Sequence, residues 1–289
     1  MMKAIVVEGG AMRGVFASGV LDTFIEEQFF PYDLALGVSA GASNLVGYLS
    51  KQKGRSYKVI TELATDKRFF NPKRFIQGGH LVDVKWLVSE SDKRYPLDQK
   101  ALFDNIPMLA TATNIETGLA DYYQVLPHNL FNILEATSAL PIAYKQTPCF
   151  SGGCYTDGGV ADSIPVIEAY RQGAKEITVV LSHPLSYEMP KSRSSWLIQR
   201  LLKRYPMIGK AMKERTDRYN QSLEFIRNPP KDVTIRVIAP PEHFNVKRLT
   251  MDLKTLKEGY EMGVSEGEKH LASRQGVYGL TEENCHFCL

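Results

Sequence analysis

Two stretches decide the fold of this chain: Ala4-Ile5-Val6-Val7-Glu8-Gly9-Gly10-Ala11-Met12-Arg13-Gly14, and then Leu34-Ala35-Leu36-Gly37-Val38-Ser39-Ala40-Gly41. In each, a short apolar run leads into a glycine-rich turn. After the first turn, Val15, Phe16, Val20, Leu21 and Phe24 recur at helical spacing. Apolar runs of this length read as buried parallel strands, so strand, turn and helix in repetition predict a parallel α/β beginning. The second turn has the form G-x-S-x-G, in which a strained strand-to-helix turn holds a serine hydroxyl above the sheet edge. The first places flexible backbone N–H groups at a helix start, which suits an oxyanion developing on an attacked carbonyl. Together they point to a serine hydrolase with Ser39 as nucleophile.

An acidic residue follows much later, in Tyr155-Thr156-Asp157-Gly158-Gly159, and before it stands Ser138-Ala139-Leu140-Pro141. With all four pieces in this order, the chain resembles the patatin-like phospholipase family. That family carries an Asp-Gly-Gly-Gly-x-Arg-Gly turn, a G-x-S-x-G elbow, a small-residue-and-proline turn and a late Asp-Gly-Gly or Asp-Gly-Ala. The resemblance covers about residues 3 to 182. It implies a three-layer α/β/α sandwich with a mostly parallel central sheet, and a Ser39–Asp157 dyad that hydrolyses lipid esters through an acyl-enzyme. The oxyanion hole is expected among Gly9, Gly10, Ala11, Met12 and Arg13. Asp162 competes with Asp157, and the family motif falls on Asp157. Two departures stand out: Glu8 replaces the usual Asp, and Ala11 replaces the third glycine. An alanine keeps its N–H, but it accepts positive φ only with strain, so the geometry of the hole depends on φ at position 11.

Two other mechanisms fit less well. Gly9, Ala11 and Gly14 imitate a degraded dinucleotide-binding fingerprint, but the next strand ends in Val38-Ser39 without the acid that would hold a ribose. A serine-histidine-acid triad would use His183, yet an α/β-hydrolase places several strands before its nucleophile and this chain places one. No metal or organic cofactor is expected, because nucleophile, base and hole all come from the chain.

At 289 residues, with 44% hydrophobic residues, the chain is long enough for one large α/β domain plus an appendage. We divide it into a catalytic core over 1–182 and, over 183–289, a helical cap, a final strand and a C-terminal helix. The net charge of +3 is too small to indicate nucleic acid. No secretory h-region opens the sequence and no apolar run is long enough to span a bilayer, so a cytoplasmic protein with at most peripheral lipid contact is expected. Cys149, Cys154, Cys285 and Cys288 have pairwise spacings that zinc sites use, but reduced, unligated thiols are the preferred reading.

Further along, residues 56–105 mix short helices with turns and predict a surface-covering insertion. Pro107–Asn114 and Leu119–Val125 read as a hairpin turning at Glu116-Thr117-Gly118, followed by helix Leu130–Thr137. Ile164–Tyr170 is a helix with Pro165 in its first turn, and Glu176–Leu181 and Val233–Ile238 are strands. Leu253, Leu256, Tyr260, Val264 and Leu271 mark an amphipathic helix that docks on the core. Between Lys191 and Arg218 nine basic residues face only Glu214 and Asp217, with apolar positions at helical spacing, and Pro206 splits the segment in two. Such a cationic amphipathic segment either packs its stripe on the core or meets an anionic membrane near the active-site face.

Overall fold

The computed structural model describes residues 1–191 and 200–274. Its sheet has eight strands: β1 (Lys3–Val7), β2 (Leu34–Val38), β3 (Met108–Asn114), β4 (Ala120–Gln124), β5 (Cys149–Phe150), β6 (Gly153–Asp157), β7 (Glu176–Val180) and β8 (Thr234–Ile238). They run in the order β5-β6-β3-β2-β1-β7-β8, with β4 paired to β3. The pairs β3–β2, β2–β1, β1–β7 and β7–β8 are parallel, and β4, β5 and β6 join antiparallel. β2 is buried at all five positions, as its unbroken apolar run requires.

Helices cover both faces, giving the expected α/β/α sandwich. On one face α1 (Gly14–Glu26), α2 (Ala40–Leu49) and α7 (Leu130–Thr137) bury Phe16, Val20, Phe24, Leu45, Leu49 and Ile133. On the other, α8 (Val166–Arg171) and α9 (Pro206–Arg227) bury Val166, Ala169, Tyr219, Leu223 and Ile226 against Val6, Leu36 and Val179. Between α2 and β3 lie α3 (Arg55–Lys58), a π-helical turn Val59–Leu63, α4 (Pro72–Ile76), α5 (Val84–Arg94) and α6 (Gln99–Phe103). The C-terminal α10 (Leu253–Arg274) lies across α1. The two backbones approach so closely that a Cβ on Gly263 would stand 2.0 Å from the Phe16 carbonyl oxygen. Leu256 and Leu271 are buried there, whereas Leu253, expected in the docking face, is 57% exposed.

The cysteines differ from expectation. Ser151 and Gly152, both at positive φ, form a two-residue turn between β5 and β6, which sets Cys149 directly opposite Cys154. The two are joined by a disulfide, so they are not reduced thiols. Cys285 and Cys288 lie outside the described residues, as do Trp196 and Leu197 of the basic segment. In the described part of that segment the apolar residues Leu202, Ile208 and Ala211 are buried, while Lys203, Arg204 and Lys210 are exposed.

Candidate active site

Strand pairing brings the two chemical residues together. β2 runs beside the first half of β3 and stops where Val38 pairs with Thr111. β6 enters from the opposite direction along the same edge of β3, and Asp157 pairs with Ala112. Ser39 and Asp157 therefore follow two strand ends that meet at neighbouring positions of β3.

Ser39 holds φ 52 and ψ −123, a conformation that a non-glycine residue adopts only where its surroundings impose it. Part of that imposition is steric. A Cβ on Gly41 would stand 2.3 Å from the Val7 carbonyl oxygen, so β1 and the start of α2 could not approach with any larger residue there. Part is hydrogen bonding: the Ser39 N–H donates to Thr137 Oγ1 over 2.8 Å, and that hydroxyl donates to Thr111 O over 2.6 Å.

Asp157 is equally fixed. Its N–H donates to Ala139 O over 2.9 Å, and the Thr156 hydroxyl donates to the same oxygen over 2.6 Å, so the Ser138–Pro141 turn anchors the strand that carries the acid. Asp157 Oδ1 accepts from the Gly159 N–H at 2.8 Å. Oδ2 is buried and closes no hydrogen bond of standard geometry among the described residues. Burial pushes the carboxyl pKa up. The Gly159 N–H, the nearby Ser39 hydroxyl and the positive charges of Arg215 and Arg248 act against that rise. Asp162 is committed elsewhere, its Oδ2 accepting from Tyr122 Oη at 2.8 Å and its Oδ1 from the Ile164 N–H at 3.1 Å.

Of the five residues expected to form the hole, three have their N–H groups engaged. Gly9 donates to Ser163 O over 3.4 Å, Met12 to Arg248 O over 3.5 Å, and Arg13 to Gly10 O over 3.2 Å. The Gly10 and Ala11 N–H groups have no partner among the described residues, which narrows the candidate hole to these two. Ala11 sits at φ 51, the unfavourable alternative for an alanine. The backbone takes the shape a glycine would take there, at a strain of roughly 1–2 kcal/mol. Arg13 does not point into open solvent: it is buried, and its guanidinium donates to Ser182 Oγ over 3.3 Å.

His183 stacks on Tyr187 with ring centroids 3.7 Å apart. Burial, together with Arg13, Arg248 and Arg215, lowers its pKa to about 3, so it stays neutral near pH 7. No hydrogen bond ties it to Ser39 or Asp157.

Four supporting residues carried no local sequence signal. Thr137 holds the elbow, Ser182 holds Arg13, and Arg248 borders the cavity beside Ser39. Arg215 on α9 donates from Nε to Gly159 O over 2.6 Å and from Nη2 to Ser163 Oγ over 3.3 Å. Only Thr137 stands close to a recognisable motif, one residue before the Ser138–Pro141 turn.

From Ala11 and Ser39 a largely apolar cavity runs between α2 and the 56–105 insertion, with about 1130 Å³ of empty space counting its open mouth. Val46, Ile60, Phe69, Val84, Leu87 and Leu134 line it, and Arg55 and Asp92 lie along it too. Apolar walls with a few polar groups at one place are the usual make-up of a ligand site. Among the described residues no group of acids, histidines or cysteines could hold a metal ion.

Comparison with known proteins gives the family. Residues 5–170 match the family model described as patatin-like phospholipase. The chain belongs to the patatin-like phospholipase family. A second model, a domain of unknown function (DUF6363), matches residues 205–276, which include Arg215, Tyr219 and Arg248 of this patatin-like protein. The chain is 36% identical over 278 residues to the uncharacterized protein YjjU of Escherichia coli (strain K12), covering 93% of this chain and 77% of that one. Among solved structures, VipD from Legionella pneumophila aligns with a TM-score of 0.49 at 10% identity, over 94% of this chain and 67% of that one, too distant a likeness to carry an argument. The family is one of lipid hydrolases.

Proposed function

We propose that the protein is a serine lipid acyl hydrolase of phospholipase A or esterase type, working through a Ser39–Asp157 dyad. The observation that carries the reading is the strained Ser39 beside a buried carboxylate whose Oδ2 closes no other hydrogen bond among the described residues, at one end of an apolar cavity. Asp157 takes the proton of Ser39 Oγ as that oxygen bonds to the ester carbonyl carbon. The carbonyl electron pair moves to oxygen, where the Gly10 and Ala11 N–H groups receive the charge; one such donor is worth about 3 kcal/mol. When the tetrahedral intermediate collapses, the ester C–O bond breaks and Asp157 returns the proton to the departing alcohol. Water, activated by the same carboxylate, then releases the fatty acid.

The raised pKa of Asp157 suits this work, since a base is most useful near the working pH. Arg215 and Arg248 favour the charged carboxylate, against the burial that raises its pKa. The acyl chain occupies the apolar cavity, and the lipid comes from a membrane that the protein meets peripherally. Among the described residues no helix is long and apolar enough to cross a membrane. The competing reading is a non-catalytic, membrane-binding protein whose strained Ala11 prevents a working hole. A fluorophosphonate probe separates the two. Labelling of the wild type that disappears in Ser39→Ala, with fatty acid released from a lipid extract in mass spectrometry, is the expected result. An unlabelled wild type overturns the hydrolase reading.

A further inference from the structure

Phe70 and Val82 pair as an isolated antiparallel bridge, and both line the cavity. The chain between them leaves the cavity wall as a closed loop that carries α4. The loop is built to hold its shape. Asn71 Oδ1 caps α4 by accepting from the Arg74 N–H at 2.8 Å, and Pro72 opens the helix. The Arg74 guanidinium donates to the carbonyls of Arg68, Phe69 and His80 at 2.8, 2.9 and 2.8 Å, and the Asn71 N–H donates to Leu81 O at 2.8 Å. This rigid frame leaves Ile76 85% exposed.

On this segment the charge that is left without an ion pair is positive. The two acids of the segment are taken, Asp66 by Arg68 at 2.7 Å and Asp83 by Arg74 at 3.6 Å. Lys67, Lys73 and Lys145 are exposed, and among the described residues none of them enters an ion pair. Elsewhere on the cavity, Phe131 and Leu249 are lining residues that are also exposed, and Leu249 follows the exposed Lys247 and Arg248. Apolar tips among unpaired cations are the make-up of a surface that lies on anionic lipid.

We propose that this rim docks on an anionic phospholipid bilayer, with Ile76 entering the acyl boundary and Lys67, Lys73 and Lys145 meeting headgroups. The inference rests on the lipid-hydrolase reading and places the membrane contact at the cavity. It moves that contact away from Lys203, Arg204 and Lys210, whose segment packs Leu202 and Ile208 against Val160. Phe69 and Phe70, at the base of this loop, line the same cavity as Ser39.

Sedimentation of the full chain with vesicles of phosphatidylglycerol and phosphatidylcholine, or of phosphatidylcholine alone, tests this. The wild type should sediment with the anionic vesicles and lose them as salt rises. Ile76→Asp should weaken the apparent affinity by about tenfold or more, and Ile76→Trp should strengthen it. The combined K203E, R204E and K210E variant should stay within about twofold of wild type. The proposal is overturned if wild type ignores anionic vesicles, if both Ile76 variants bind like wild type, or if the Lys203 variant alone loses binding. It is likewise overturned if Ile76→Asp changes only self-association in sedimentation velocity. Fluorophosphonate labelling reads the chemistry separately: a labelled protein that ignores vesicles sinks the docking alone, and an unlabelled one that binds them sinks the hydrolase alone.

Discussion

The Tyr219 hydroxyl donates to Glu8 Oε1 over 3.0 Å, joining α9 to the glycine turn across 211 positions of the chain. The other carboxylate oxygen accepts from the Ser182 N–H at 2.6 Å. The glutamate at position 8, where the family usually has aspartate, thus has the reach to meet two partners from β1. Burial raises its pKa, while the charge of Arg13 and the two hydrogen bonds pull it down. The turn that carries Gly10 and Ala11 is braced by a helix that begins only at Pro206, well beyond the patatin-like match.

Tyr219→Phe should therefore reach the active site from a distance. It strands Glu8 Oε1 in a buried place without its donor, a loss worth about 1–3 kcal/mol. Thermal denaturation should show a lower midpoint. Turnover of a soluble ester should fall as well, because the turn loses its support. A variant with a lower midpoint and wild-type turnover per folded molecule would show that the brace serves stability alone.

Asp157→Asn should separate activity from stability. Turnover should drop by about 10²–10⁴, the usual contribution of a positioned general base. Stability should move the other way. A carboxyl whose folded pKa lies above its unfolded value stabilises the fold below the unfolded pKa and loses that contribution as pH rises through the folded one. Above that folded pKa the ionised Asp157 is thus a burden that asparagine lifts, and there the melting midpoint should rise. The same sign fixes the acid limb of kcat/KM: activity fails as pH falls through the raised pKa, above the ordinary carboxylate range. A limb at or below pH 4 would contradict the assignment.

Much of this site was legible because its parts are local. Strand, glycine turn and helix around Ser39 need only a few neighbouring residues, and the β3–β4 hairpin announces itself at Gly118. What escaped depends on distant packing. Arg215 is one of nine basic residues in its segment until α9 lays it against Gly159 O and Ser163 Oγ, and Arg248, though exposed, reaches the cavity beside Ser39 only through the loop before α10. Gly263 carries no signal of its own in the helical pattern, yet it is the place where α10 touches α1. Cys149 and Cys154 were within reach, because a two-residue turn such as Ser151-Gly152 sets its flanking residues opposite each other.

Reduction of that pair gives a third test. A disulfide closing so short a loop contributes about 2 kcal/mol in the chain-entropy estimate. Cys149→Ser with Cys154→Ser should lower the melting midpoint accordingly. Turnover should fall less than stability, because Asp157 is anchored separately by Ala139 O and Thr113 Oγ1. Thiol titration of the unfolded chain with and without reductant should reveal two additional thiols from this pair.

Ala11→Gly is the most pointed change, because it restores the residue the family usually has. Ala11 is held at φ 51, where a Cβ costs roughly 1–2 kcal/mol and glycine incurs no such strain. Against that relief stands the larger backbone freedom of glycine in the unfolded chain, about 0.4–1 kcal/mol. The net should lie between no change and a gain in stability of about 1.5 kcal/mol. The effect on chemistry is the sharper measure. If the strain displaces the Ala11 N–H from the oxyanion, Ala11→Gly should raise kcat on a soluble ester and hasten fluorophosphonate labelling, with KM little changed, since only the transition state feels the hole. If the N–H is already in place, kcat should stay level while the midpoint rises. A fall in kcat with the fold intact would show instead that the alanine, by restricting the backbone, holds the N–H in place for the oxyanion.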